Sequence, residues 1–171
     1  KILSSSLALM KLNEQKQFNY NANLSYYFPE VDKTNKSELN YKDILTHQSG
    51  LSPWIPFWQK TVDKKHNYKE GYYSEVQSNK FPTQVAKNLY VVKDFNDSIY
   101  QQIITSKLEE TGKYVYSDIG YYFSKILIER LTKTTLNNYV QNTFYKPMNL
   151  GLTYLPLQTY PANIIAPNEL D

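Results

Sequence analysis

Three side chains able to hold or move a proton stand at the heads of helical runs. Lys1 opens one run, and Tyr116 and Asp118, two residues apart, open another. An alcohol is a weak nucleophile at neutral pH and needs an adjacent base, which a partly desolvated lysine can supply once burial has lowered its pKa. A tyrosine beside it can pass a proton to a leaving group. Each residue also has a plainer reading: Lys1 as a surface lysine, and Tyr116-Ser117-Asp118 as a capping turn with Asp118 as N-cap. The two histidines, His47 and His66, lack any paired ligand spacing, so no metal is expected. His47 reads as a hydrogen-bonded loop residue that fixes the turn at Ser49 and Gly50, and His66 as a solvated residue in a charged loop. The absence of cysteine removes thiol catalysis and Cys-type zinc sites.

Composition narrows the classes further. With 171 residues and 41% hydrophobic content the chain can fill one core. The net charge of +3 is mild, and Arg130 is the only arginine, so the bidentate base contacts typical of nucleic-acid readers have little to draw on. Nucleic acid is not an expected partner. No uncharged apolar run approaches the roughly 18 residues needed for a membrane span.

The elements that must position these residues are mostly helical. Ile2, Leu3, Leu7, Leu9, Met10 and Leu12 predict a mostly buried helix from residue 1 to about 16. Leu24 to Phe28, before Pro29, reads as one helical turn. Asn40 with Asp43 predicts a capped helix over 41–46, ended by Gly50. Residues 51–95 read as a long aromatic loop with short helices at most, in which Trp54, Phe57 and Trp58 suit a cleft wall or simple packing. Asn96 is expected to cap a helix carrying Ile99, Ile103, Ile104 and Leu108 and ending at Gly112. Residues 118–131 give the clearest helix, with Ile119, Tyr122, Phe123, Ile126, Leu127 and Leu131 on one face. A further helix runs from about 135 to 145, stopping before Pro147, and the tail with Pro156, Pro161 and Pro167 reads as extended. No repeat or low-complexity linker suggests two domains within these residues.

Four segments carry a resemblance. Lys1 to Leu12 is similar to the helix that follows the Ser-x-x-Lys motif of the serine β-lactamase-related family, which includes class C β-lactamases, D-alanyl-D-alanine carboxypeptidases and related esterases. Leu45-Thr46-His47-Gln48-Ser49-Gly50-Leu51 resembles its Leu-x-His-x-Ser-Gly-Leu signature. Tyr114 to Tyr121 resembles its Tyr-x-Asn motif with the helix behind it, and Asn142 to Gly151 resembles its Pro-Leu-Gly turn. The surroundings of Trp54 to Trp58 and Leu89 to Val92 look closest to Bacteroidetes-type members, some of which are fused to a family 3 glycoside hydrolase domain.

The resemblance implies that Lys1 is the motif lysine and that the nucleophilic serine stands three positions before it, outside this sequence. Tyr116 would be the second proton handler, and Trp54, Trp58 and Asp118 would face substrate, with His47, Ser49 and Gly50 structural beside the site. Asp118 departs from the family's Asn: a carboxylate can hold Lys1 but cannot donate to a substrate carbonyl.

The expected fold is mostly α. Residues 1–171 would be the helical portion of one domain of the α+β β-lactamase/transpeptidase-like fold, its antiparallel sheet largely outside this chain. The implied activity is serine hydrolysis through an acyl-enzyme on peptidoglycan-related peptides, β-lactams or esters, in the periplasm or cell envelope and without cofactor. These residues alone would be inactive. Two rivals remain: a non-catalytic homologue serving as a binding module beside a glycoside hydrolase, and a free-standing helical interaction protein.

Overall fold

The computed structural model describes residues 1–165, and the expected extension at Pro167 lies outside them. The chain is organised as two compact units, one formed by Lys1–Ile55 with Tyr100–Leu152, the other by Pro56–Ile99 with the stretch from Thr153 onward. Among the described residues no helix is long and apolar enough to cross a membrane.

The first unit is helical. A π-helical turn (Ile2–Ser6) leads into α1 (Leu7–Glu14), followed by α2 (Leu24–Tyr27), a 3-10 turn (Pro29–Val31) and α3 (Tyr41–Leu45). The first helix is less buried than its apolar spacing predicts. Ala8, Leu9 and Leu12 face the core while Ile2, Leu3 and Met10 are exposed, and the wider π turn puts Ser4 and Ser5 inward. At α3 the predicted cap is present: Asn40 Oδ1 accepts the Asp43 backbone N–H at 2.9 Å. The helix ends at Leu45, before His47 turns into the left-handed region (φ 59°), ahead of Gly50.

Within the described residues, α4 (Phe95–Thr105) departs at both ends from its expected limits. Asn96 lies inside the helix. Leu108 is not helical, because it pairs with Leu51 in an antiparallel bridge and the Glu109 N–H donates to the Gly50 carbonyl at 2.7 Å. Tertiary pairing has overridden the helical spacing. Gly50 permits this approach: at φ 73° a Cβ there would stand 2.6 Å from the Glu109 carbonyl oxygen.

The helix α5 (Ile119–Thr132) buries Ile119, Phe123, Leu127 and Ile128, with the small Gly120 and Ser124 inward as well. Tyr122, placed by spacing on the core face, is 39% exposed. Phe123 meets Phe28 edge-on at 5.4 Å, and the Arg130 guanidinium lies over the Phe28 ring at 4.6 Å while pairing with Glu30. Thr135 caps α6 (Leu136–Val140), which continues as a π turn (Gln141–Tyr145) and stops before Pro147 as predicted.

The second unit contains what sequence spacing missed. After a 3-10 turn (Phe57–Lys60) come β1 (Tyr73–Ser74), β2 (Thr83–Ala86) and β3 (Leu89–Val91), an antiparallel sheet in the order β1-β3-β2. Tyr73 pairs with Val91 and Thr83 with Val91 across the central strand. Within the described residues the tail is only partly extended: Pro156 opens α7 (Pro156–Thr159), its fixed φ suiting a first helical turn, and Ala162–Ile164 form a 3-10 turn.

Candidate active site

Two loops of the first unit are zipped together and set the site. The His47 carbonyl accepts from Val115 N–H at 2.9 Å, the Gln48 carbonyl from Gly112 N–H at 2.8 Å, and the Pro53 carbonyl from Asp118 N–H at 3.0 Å. His47 adds a side-chain tie, its Nδ1 accepting the Ser117 N–H at 3.2 Å. That bond requires an unprotonated Nδ1 and so a neutral ring. Burial and the nearby Lys1 charge both push the His47 pKa down, outweighing Asp118. Ser49 is buried beside it.

The cap of α5 is where the sequence left two choices. Ser117 Oγ accepts the Ile119 N–H at 3.2 Å and donates to the Ser52 carbonyl at 2.6 Å. Asp118 makes no capping bond. Its carboxylate is therefore free to turn outward, where it meets Lys1.

Lys1 is held there by the π turn behind it. The Lys1 carbonyl accepts from Ser4 and Ser6 N–H groups, each at 3.2 Å, and the next turn is tied down by Tyr145, whose hydroxyl donates to the Leu3 carbonyl at 2.7 Å. Lys1 Nζ donates to the Tyr116 hydroxyl oxygen at 2.9 Å and pairs with Asp118 Oδ1. The same ammonium lies 5.3 Å from the Tyr116 ring centre and 5.4 Å from that of Tyr121. Residues 115 positions apart are thus brought into one hydrogen-bonded cluster, with the His47 ring 4.6 Å from the Tyr116 ring.

One expectation fails here. Burial does pull the Lys1 pKa down, but hydrogen bonds to Asp118 and Tyr116 and the Asp118 charge outweigh it, so it stands above the ordinary lysine value. Burial likewise pushes Asp118 up, and its bonds to Lys1 and Tyr116 bring it below the usual carboxylate range. At rest Lys1 is an ammonium, not a free base. The sequence signal for this was present in Asp118, an anion where a neutral amide would leave the lysine easier to deprotonate.

The aromatic candidates are placed differently. Trp54 is exposed just after the Pro53 carbonyl that Asp118 N–H engages. Trp58 belongs to the second unit, where its ring lies 5.8 Å from that of His66. A residue that sequence reasoning passed over is Lys36, fully buried, donating to Asn35 Oδ1 at 2.7 Å and to the Ser106 carbonyl. Desolvation pushes its pKa down to about 8. No spacing rule singles out a buried lysine.

The chain is similar to known proteins. The family model described as beta-lactamase matches residues 3–163. The chain belongs to the beta-lactamase family. It is 29% identical over 167 residues to an N-acetylmuramyl-L-alanine amidase of Bacillus subtilis, covering 92% of this chain and 32% of that protein. It is 26% identical over 159 residues to a Salmonella paratyphi A protein provisionally named D-alanyl-D-alanine carboxypeptidase, covering 90% and 32%. The beta-lactamase family chain thus spans about a third of the length of the curated relatives it matches. A class C beta-lactamase structure from Rhodobacter sphaeroides superposes with a TM-score of 0.52 at 16% identity, over 87% of this chain and 32% of that one. At that identity the likeness speaks for the fold, which is β-lactamase/transpeptidase-like.

Proposed function

We propose that the protein to which these residues belong is a serine hydrolase working through an acyl-enzyme on peptidoglycan-related peptides or esters, in the periplasm or cell envelope. The contact that carries this reading is Lys1 Nζ on the Tyr116 hydroxyl at 2.9 Å, a lysine–tyrosine pair assembled from distant segments of a beta-lactamase family chain. In this reading a serine three residues before Lys1 lies one helical turn away, on the same face. Its Oγ attacks the substrate carbonyl, its proton passes through Lys1 and Tyr116 to the leaving group, and water then releases the acyl group by the reverse proton path. Trp54 is read as a substrate-facing wall.

The ion pair with Asp118 shapes the chemistry. With Lys1 charged at rest, proton acceptance requires it first to lose a proton, so acylation favours alkaline conditions. Asp118 offers no amide N–H to a substrate carbonyl, which ranks peptidoglycan-related or ester substrates above β-lactams.

Labelling of the full-length protein with a tagged fluorophosphonate and a tagged penicillin, followed by peptide mapping, tests this. An adduct on the serine three before Lys1 is expected, and none on residues 1–171 expressed alone. A full-length protein that takes no label on that serine overturns the reading. That outcome is what a non-catalytic binding module predicts, the second reading, favoured by the ion pair that keeps Lys1 charged.

A further inference from the structure

The bond from the Ser117 N–H to His47 Nδ1 sits at a sensitive point. Ser117 is buried, and its hydroxyl is already committed to the Ser52 carbonyl and the Ile119 N–H. Its neighbours on either side, Tyr116 and Asp118, are the two residues that hold Lys1 Nζ. A histidine that gains a proton carries hydrogen on both ring nitrogens. Nδ1 would then set a donor against the Ser117 N–H, and the peptide between Tyr116 and Asp118 would lose its anchor in a place where water has little access.

The ring is enclosed by groups that bear on this proton. Those of Tyr116, Tyr114 and Tyr121 lie 4.6, 5.9 and 6.4 Å away. Lys1 opposes a charge on His47 and Asp118 favours it, while on the adjoining loop Lys113 pairs with Glu110 at 4.0 Å.

Resting on the serine hydrolase reading above, we propose that His47 is a positioning residue for the reaction: its unprotonated Nδ1 anchors the Ser117 amide and so holds Tyr116 and Asp118 about Lys1, and a proton on that nitrogen releases the turn and shuts acylation down. His47 acts through Ser117 and touches no reacting atom. Burial and the Lys1 charge keep its pKa below the ordinary 6.5, so the anchor is in place throughout the neutral and alkaline range in which Lys1 can serve as base, and is lost only in acid.

The pH profile of fluorophosphonate acylation of the full-length protein separates this from a purely structural role. With Lys1 as the sole group that must lose a proton, the logarithm of the second-order rate rises by about one per pH unit. A second requirement for neutral His47 steepens the slope to about two below its titration, so the unaltered protein should show a break between about pH 7 and 5. Asp118, held below the usual carboxylate range, stays ionised across that window. His47→Asn identifies the source of the break: asparagine tolerates the left-handed backbone at this position and offers an amide oxygen as acceptor, but does not titrate. Its slope should stay near one, whatever its rate. In the unaltered protein, labelled with isotopic serine, the Ser117 amide resonance should shift with the same midpoint as the break. A slope near one throughout in the unaltered protein, a break that persists in His47→Asn, or a Ser117 resonance that does not move across it overturns the assignment while leaving the hydrolase reading intact. No adduct at any pH overturns both.

Discussion

The start of α5 is fixed by how closely it approaches α3, and Gly120 is the residue that permits it. A Cβ at position 120 would stand 2.5 Å from Ile44 Cγ2, well inside the roughly 3.5–4.0 Å at which carbon atoms rest. Ile44 is buried, and its Cγ2 sits on the branched carbon, whose rotamer is nearly fixed in a helix, so it cannot swing aside. Gly120→Ala gains about 1 kcal/mol of helix propensity and incurs an overpacking cost of about 1–3 kcal/mol. The net is a loss of about 1 kcal/mol, or roughly 2–4 °C in Tm for a domain of this size. Ile44→Leu removes the offending methyl at similar volume, and in that background Gly120→Ala should stabilise. The cycle, read from urea midpoints of the protein, should give a coupling of about 2 kcal/mol, within the range for touching residues. Equal shifts in both backgrounds would refute the claim that this contact sets the α3–α5 approach.

Three other outcomes follow from the same geometry. Ser117→Ala removes the Ile119 cap and the Ser52 tie together and should cost about 1–2 kcal/mol by chemical denaturation, with Ser117→Thr keeping most of it. The folded-state pKa of Lys36, about 8, lies below its unfolded value, so between pH 8 and 10.5 the unfolded chain holds more protons and stability rises with pH. Relative to Lys36→Met, the protein should therefore gain up to about 3 kcal/mol across that window, measured as the difference between their denaturation curves. Asp118→Asn withdraws the charge that keeps the Lys1 pKa high, so the alkaline rise of kcat/KM should move to lower pH, and a rise that stays in place would mean Lys1 is not the titrating base.

Much of this arrangement was legible in the sequence where local rules govern. The Asn40–Asp43 cap, the Thr135 start and the apolar stripe of α5 follow from capping chemistry and a 3.6-residue period. The strands were not legible, since β1 to β3 are two to four residues long and Thr83-Gln84-Val85-Ala86 carries no strong alternation. The end of α4 was misplaced because Leu108 fits a helical stripe, yet long-range pairing with Leu51 claims it. At the site, Lys1 and Tyr116 were identified as candidates, but the charge state of Lys1 was not. That state depends on Ser117 taking the cap and freeing Asp118, a choice between two adjacent capping residues that only tertiary contacts decide.

In the proposed mechanism Lys1 and Tyr116 act as one proton-handling unit. The second-order rate of fluorophosphonate acylation of the full-length protein, measured for Lys1→Ala, Tyr116→Phe and the double variant, addresses it directly. Each single change should slow acylation by about 10²–10⁴-fold, and the double variant should be no slower than the worse single one, because groups that act together are non-additive. Effects that multiply in the double variant, or singles that react at the unaltered rate, would contradict it.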